Sequence, residues 1–580
     1  METKRWVPAI KILIFSLFAF PLTIWVLESN QLHYALAILR ELKNIIFSIS
    51  GERTLSPHNL EKSWVLSPNL STCHQSLGRA GLPVYCCPPK PESEEPVTDF
   101  QFPDPSSPLR TRRPAHRVDE NYISKYRKAL DIMKSLPYDD PRSFMRQADM
   151  HCLYCTGAYN QQVTNYPFNI HRSWLFFPWH RMMMYFHERI LGSLIGDDTF
   201  ALPFWAWDIP DGMMTPKMYL NPPFTNHRRD TSHYSKVVDL NYGCEKYSCP
   251  ERGLSSQEQI DYNLALMYNH VVSGAKKMEL FMGCPLKAGE AGFCDGKGTI
   301  ESAPHNTVHK WIGSGTFPGR EDMGVFYSAA RDPSFYAHHT NIDRLWEVWR
   351  GLHDNVNMTD PDWLDTAFFF HNEKSQLVRI RIRDVLNITK LRYAYEEVEL
   401  AWLDRRPKPS VPPKVAHHIL NMRERENELH LPSDRNLSAN FSPNARTLDK
   451  RITTKVQRPR ERRARGKGEE EVLIVYGIDV KEDVHVKFDV YVNVVDESIM
   501  SPFYREFAGT FVHMPRGVDM VSKEDDIVRR KRKATLKLGI SELLEDLEAD
   551  RDEFIWVTLL PRTRSCINTT MEGILIDYIQ

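Results

Sequence analysis

Between about residues 120 and 350, apolar positions recur three and four apart over long stretches, separated by loops rich in Gly, Pro and Asn. That period predicts a bundle of helices around a shared core, because a 3.6-residue turn brings such positions onto one face. From Phe368 to Trp402 the pattern becomes strand-like, as in Leu377-Val378-Arg379-Ile380-Arg381-Ile382 and Tyr393-Ala394-Tyr395, and a few short strands are expected to close the helical unit. Residues 405–470 exchange apolar positions for prolines and basic residues, including Arg458 to Lys467, which predicts an exposed linker open to proteases. Beyond residue 471, Val472 to Val475, Val484 to Val495, Phe507 to Val512 and Phe554 to Leu560 run apolar or alternate with β-branched residues. Turn signals separate them, and a C-terminal all-β sandwich of about 110 residues fits that spacing. The expected fold is therefore a mainly α unit followed by a separate sandwich, in line with the division of long chains into several cores.

The first residues change the picture of where this chain works. Lys4, Arg5 and Lys11 precede the apolar run Ile12 to Leu27, so residues 1–30 read as a signal peptide or an uncleaved signal anchor, with possible membrane attachment through this segment. Residues 31–72 read as a spacer, and Pro88 to Pro114 as a Pro- and Ser-rich arm. Ten cysteines, nine of them before residue 295, argue for disulfides in an oxidising compartment. Sequons at Asn69, Asn357, Asn387, Asn436, Asn440 and Asn568 would be glycosylated in a secretory lumen. Lys and Arg number 74 against 75 Asp and Glu, so no global field recruits nucleic acid, and an uncharged or weakly charged substrate is expected.

Among the 22 histidines, two groups carry candidate chemistry: His151, His171 and His180, and His305, His309 and His339. His305 and His309 lie four apart after Pro304. Four residues advance a helix by about 6 Å and only about 40°, so both rings leave one face. His338 departs from His339 by about 100° on a helix, so only one of that pair is expected to bind. Asp343, one turn after His339, is a candidate to fix a neighbouring side chain by hydrogen bonding. His171 and His180 are nine apart and would face opposite sides of one helix; Pro178 lets a helix begin between them. His187 lies about 10 Å along the axis from His180, too far to share its metal, and reads as a histidine that either packs or supports a ligand from behind. All-imidazole sets suit copper, zinc, iron or nickel, and the lack of a carboxylate weighs against non-haem iron, leaving a zinc hydrolase as a competitor.

The runs His171-x4-Phe176-Phe177-x-Trp179-His180-Arg181 and Asp332-Pro333-x-Phe335-Tyr336-x2-His339-x3-Asp343 resemble the two copper signatures of the tyrosinase family. The likeness is closest to plant polyphenol oxidases, through His151-Cys152-x2-Cys155, Asp362-Trp363-Leu364 and Lys487-Phe488-Asp489-Val490, and covers about residues 73–580. It implies a dicopper catalytic domain at 73–404, a cleavable linker at 405–470 and a shielding sandwich at 471–580. His151, His171 and His180 would hold copper A, and His305, His309 and His339 copper B, with O2 as co-substrate. Cys155 would form a thioether to His171; Cys73 with Cys87 and Cys86 with Cys152 would be disulfides. Cys244 with Cys249 and Cys284 with Cys294 are candidate extra bridges.

Phe326 matches the family's aromatic gate over copper B, Tyr393 and Tyr395 its tyrosine motif, and Glu301 with Asn306 the pair that orients and activates a water for monophenol hydroxylation. Lys310 falls where the family varies and is a candidate determinant of substrate preference. The resemblance implies oxidation of small phenolic substrates to ortho-quinones by a latent enzyme that a protease activates at the linker. Alternatives are an aurone-type biosynthetic hydroxylase and a haemocyanin-like oxygen carrier. The leader lacks the Ser-rich, twin-arginine features of plastid-targeted members. The secretory lumen (vacuole, endoplasmic reticulum or extracellular space) is therefore expected, with the thylakoid lumen as the alternative.

Overall fold

The computed structural model describes residues 65–580 except 90–94, 163, 244–252, 289–293, 355–357, 431–440, 442–444, 460–467, 497, 499, 517 and 520–532. The apolar leader, most of the spacer, Cys244 with Cys249, and the sequons at Asn357, Asn436 and Asn440 lie outside the described residues. No helix among the described residues is long and apolar enough to cross a membrane.

The helical unit is built on α1 (Glu120–Ser135), α2 (Phe144–Cys155), α3 (Phe176–Ile195), α4 (Ser256–Met267), α5 (Asn306–Ile312) and α6 (Ser334–Leu352). Side-chain caps start α1 and α2: Asp119 accepts from the Tyr122 amide, and Ser143 from the Arg146 amide. α3 is the central helix, buried along almost its whole length, as its near-continuous apolar sequence requires. Pro178 sits in its first turn, where a missing amide proton costs nothing. Gly196 ends it at φ 67°, returning its amide to the carbonyls of Gly192 and Ser193, a conformation that suits a residue without Cβ.

Short strands brace this bundle. β1 (Val97–Asp99), β3 (Ala367–His371) and β4 (Leu377–Arg381) form one sheet with β4 central, while β2 (Arg110–Arg112) pairs in parallel with β5 (Tyr393–Tyr395). The strand pair delivers charges into the core. Glu188 on α3 accepts from Arg110 at 2.7 Å and Arg112 at 2.8 Å. Asp343 on α6 accepts from Arg181 on α3 at 2.5 Å, from Arg112 at 3.2 Å, and from the hydroxyls of Tyr393 and Tyr395 at 2.7 and 2.6 Å. Buried carboxylates with this many donors stay ionised, and Asp343 is held below the usual carboxylate range by Arg181 and Arg112 against the upward pull of burial.

The C-terminal unit is a sandwich of two antiparallel sheets. One has the order β6 (Ile452–Gln457), β11 (Phe554–Pro561), β8 (Val486–Val492), β9 (Phe507–His513); the other has β10 (Ala534–Gly539), β7 (Glu470–Ile478), β12 (Gly573–Ile579). Its core includes Leu473, Val475, Phe488, Val490, Phe511, Ile555 and Val557. The expected boundary at 471 needs correction. β6 lies inside the predicted linker, with Ile452, Thr454 and Val456 buried and the intervening residues turned outward. Leu448 is also in the sandwich core, and Pro413–His430 forms a helix. Arg458 is not part of a solvated tail, because its guanidinium is buried against Glu471 at 2.6 Å.

Candidate metal centre

α2 contributes His151, the turn before α3 His171, and α3 itself His180; His305 and His309 bracket the start of α5, and His339 comes from α6. Each of these helices buries an apolar face, which draws the histidines into one interior space. Ring centroids are 5.1–5.6 Å apart in the first set and 4.6–5.3 Å apart in the second. His180 and His339 stack at 4.2 Å, so the two sets adjoin. Potential ligand atoms within each set lie within 4.8 Å of one another, and all seven histidines, counting His338, are buried.

Hydrogen bonding fixes which nitrogen is available. Nδ1 of His151, His180, His305 and His309 lies 2.9, 2.8, 3.3 and 2.9 Å from the carbonyl oxygens of Phe326, Phe176, Glu301 and Met323. A carbonyl only accepts, so Nδ1 carries the proton and Nε2 keeps its lone pair. The Nε2 atoms of His151, His180 and His305, and both nitrogens of His171, are buried with no protein partner. Nε2 of His309 and of His339 lie 3.2 Å apart. Burial holds every one of these rings well below its usual pKa, His180 at about 3 and His309 at about 4, so neutral imidazoles face one another at neutral pH. Orphaned, neutral, converging nitrogens fit two metal ions with imidazole ligands.

His338 departs from the sequence expectation. Its helical angle does not carry it away, since its ring lies 4.9 Å from that of His309. The Trp207 indole makes the distinction instead: its Nε1–H donates to His338 Nδ1 at 3.0 Å. An indole cannot accept, so the neutral His338 ring keeps its proton on Nε2, opposite to His151, His180, His305 and His309. Asp343 also differs in its partners, which are Arg181 and the tyrosines rather than a histidine; backbone carbonyls orient the imidazoles. His187 stacks on Tyr336 at 3.6 Å, the packing role of the two expected.

Phe176, Phe326 and Phe335 wall the site. The Phe326 ring stacks on His171 at 4.0 Å, so it covers the first set rather than the second, where the gate was expected. Glu301 Oε1 accepts from the Arg172 amide at 2.7 Å, and Oε2 is buried without a partner. Burial raises the Glu301 carboxyl pKa despite nearby Lys297. Asn306 Oδ1 is likewise orphaned, while its Nδ2 donates to the Val512 carbonyl at 3.2 Å. Cys155 is a buried unpaired cysteine; Cys73–Cys87, Cys86–Cys152 and Cys284–Cys294 are paired. Lys310 Nζ lies 3.5 Å from the Gly243 carbonyl, at the seam between the two units.

That seam was illegible in the sequence. Ser302 donates to the Thr510 carbonyl at 2.8 Å and accepts from the Val512 amide at 3.2 Å, while the Phe326 amide donates to the Pro515 carbonyl at 3.3 Å. Met514 is fully buried in the apolar cluster of the helical unit. Arg172, next to His171 and at φ 65°, reaches Asp295 at 2.7 Å, Glu482 at 3.3 Å and His513 at 3.1 Å. A positive φ at an arginine is uncommon and points to a position held by its surroundings.

Two adjoining sets of three buried imidazoles, on helices capped by a sandwich, define a dinuclear metalloprotein. The common central domain of tyrosinase matches residues 141–352, the polyphenol oxidase middle domain residues 357–408, and the chloroplastic polyphenol oxidase C-terminal domain residues 444–578. The chain is 42% identical to aureusidin synthase of Antirrhinum majus, with 86% of each chain covered. It is also 42% identical to a chloroplastic polyphenol oxidase of Malus domestica, covering 86% of this chain and 82% of the relative. The structure of latent apple tyrosinase aligns with a TM-score of 0.72 at 41% identity, covering 84% of this chain and all of that one. The chain belongs to the plant polyphenol oxidases of the tyrosinase family, two-copper enzymes that use O2 to oxidise phenols to ortho-quinones. Because the apple relative is named chloroplastic, the secretory location expected from the leader gains no support from it.

Proposed function

We propose that His151, His171 and His180 hold copper A, that His305, His309 and His339 hold copper B, and that the sandwich keeps the enzyme latent. The observation that carries the ligand assignment is the tautomer shared by His151, His180, His305 and His309, which turns a lone pair inward where His338 turns a proton, together with the orphaned nitrogens of His171 and His339 beside them. Bound there, the two ions supply the paired one-electron redox capacity needed to reduce O2 while a phenol is oxidised. The protein's own part is positional: carbonyls lock the rings, Phe176, Phe326 and Phe335 exclude water, and the phenol ring enters beside Phe326. Glu301 and Asn306 offer two orphaned oxygens that can hold a water and take the proton of a monophenol. Cys155 is assigned a thioether to His171, which would restrain that ring.

Latency follows from hydrogen bonding across the seam: with Val512 and Pro515 bound to Asn306 and Phe326, the approach is covered until a protease cuts the chain between the helix Pro413–His430 and the sandwich. A plastid lumen accommodates three disulfides and leaves the sequons unmodified. The aureusidin synthase relative favours a second reading in which the same chemistry serves one biosynthetic phenol. Quinone formation from 4-methylcatechol and from tyramine, before and after limited proteolysis, tests the proposal. Low activity that rises on cleavage supports it; full activity in the uncut chain contradicts latency, and reversible O2 binding without quinone contradicts the enzyme.

A further inference from the structure

A cavity of ≈ 240 Å³ lies on the seam, and its walls come from both units. Arg79, Lys310 and Arg320 line it from the helical side, and Asp483, His485 and Ser565 from the sandwich. Asp483 is the one carboxylate lining it among the described residues. Arg320 spends its hydrogen bonds on neutral oxygens, the Lys310 carbonyl at 3.4 Å and the Tyr242 hydroxyl at 3.2 Å, and Asp230 approaches it no closer than 3.9 Å. No carboxylate among the described residues forms an ion pair with Arg79. Burial, and then the charges of Lys310, Arg320 and Arg79, hold the His485 imidazole well below its usual pKa.

We propose that this cavity binds a phosphate-type oxyanion, free or carried on a small metabolite, and thereby fastens the sandwich over the copper site. Two guanidinium forks and an ammonium offer the planar, multidentate donors that phosphate oxygens take, and a partly enclosed cavity strengthens each bond. Because each unit supplies only part of the wall, the complete site exists only in the docked arrangement. An anion bound there favours the covered form by mass action. This role as a fastener rests on the reading of the sandwich as a cover; the binding site itself does not.

Titration calorimetry of the full-length, copper-loaded protein with inorganic phosphate and with pyrophosphate, at fixed ionic strength set by chloride, tests the site. One saturable event is expected, at least tenfold weaker in Arg79→Gln and in Arg320→Gln, and severalfold tighter in Asp483→Asn, where a repelling charge is removed. The last variant keeps the test decisive if an arginine variant folds poorly. No binding, binding abolished by chloride alone, or equal affinity in all variants overturns the site. Saturating phosphate is further expected to slow activation by limited proteolysis severalfold. Binding without that slowing overturns the fastening role, whereas an uncut protein already fully active overturns the cover reading instead.

Discussion

Replacing Glu482 by glutamine removes one negative charge from the seam while keeping the size of the side chain. Glu482 accepts from Arg516 in its own unit at 2.6 and 2.7 Å and from Arg172 in the helical unit at 3.3 Å. Burial pushes its carboxyl pKa upward, but Arg516 and Arg172 hold it far below the usual carboxylate range. A hydrogen bond to a charged group contributes about 1.5–3 kcal/mol, and 21% of this side chain is exposed, so screening favours the lower half of that range. Asp295 still neutralises Arg172 at 2.7 Å, and the bonds to Arg516 lie within the sandwich, so of the contacts that dock the two units it is the one to Arg172 that is lost. About 2 kcal/mol less docking stability raises the open fraction about thirtyfold. Quinone formation by the uncut Glu482→Gln protein should rise accordingly, while activity after proteolysis stays at the wild-type level.

The same carboxylate predicts an acid response. Its folded pKa is depressed, so its stabilisation is complete above the unfolded value of about 4.3 and is lost as pH falls through the folded value. The uncut wild type should therefore open under acid, below about pH 4, and Glu482→Gln should respond less. An uncut variant that folds normally yet remains as latent as wild type, with an unchanged acid response, would refute the reasoning.

His338→Ala should retain both coppers by metal analysis, because Trp207 already commits that ring to the wrong tautomer. Asp343→Asn should lower stability by about 1.5–3 kcal/mol, read from the urea midpoint, since Arg181 and Arg112 lose a charged acceptor while Glu347 and Glu188 still neutralise them. Glu301→Gln should reduce tyramine hydroxylation about a hundredfold while largely sparing 4-methylcatechol oxidation. Because burial raises the Glu301 pKa, its base form appears only as pH rises through that raised value, so wild-type hydroxylation should climb with pH and the variant should not.

Helix geometry made parts of the histidine sets legible: His305 with His309 repeats at one turn, and Pro178 allows a helix to start between His171 and His180; the complete sets, His151 included, came from the resemblance to the tyrosinase signatures. The sandwich was visible in its alternation. β6 was hidden by the basic residues around it, although the alternation of Ile452, Thr454 and Val456 was there to be read. Contacts that join distant parts of the chain left no local trace. Trp207 beneath His338 is 131 residues away in sequence, and Glu482 beside Arg172 is 310 away. No periodicity encodes such pairs, which depend on how the units dock. The same holds for Phe326, whose partner ring follows from the path of a loop.

The direct test of the ligand assignment is the copper content of purified, copper-replete protein. Two ions per chain are predicted for the wild type, and one after His309→Ala or His180→Ala, with quinone formation abolished in both variants. A wild type holding one ion or only zinc, or variants that still hold two coppers, would contradict it.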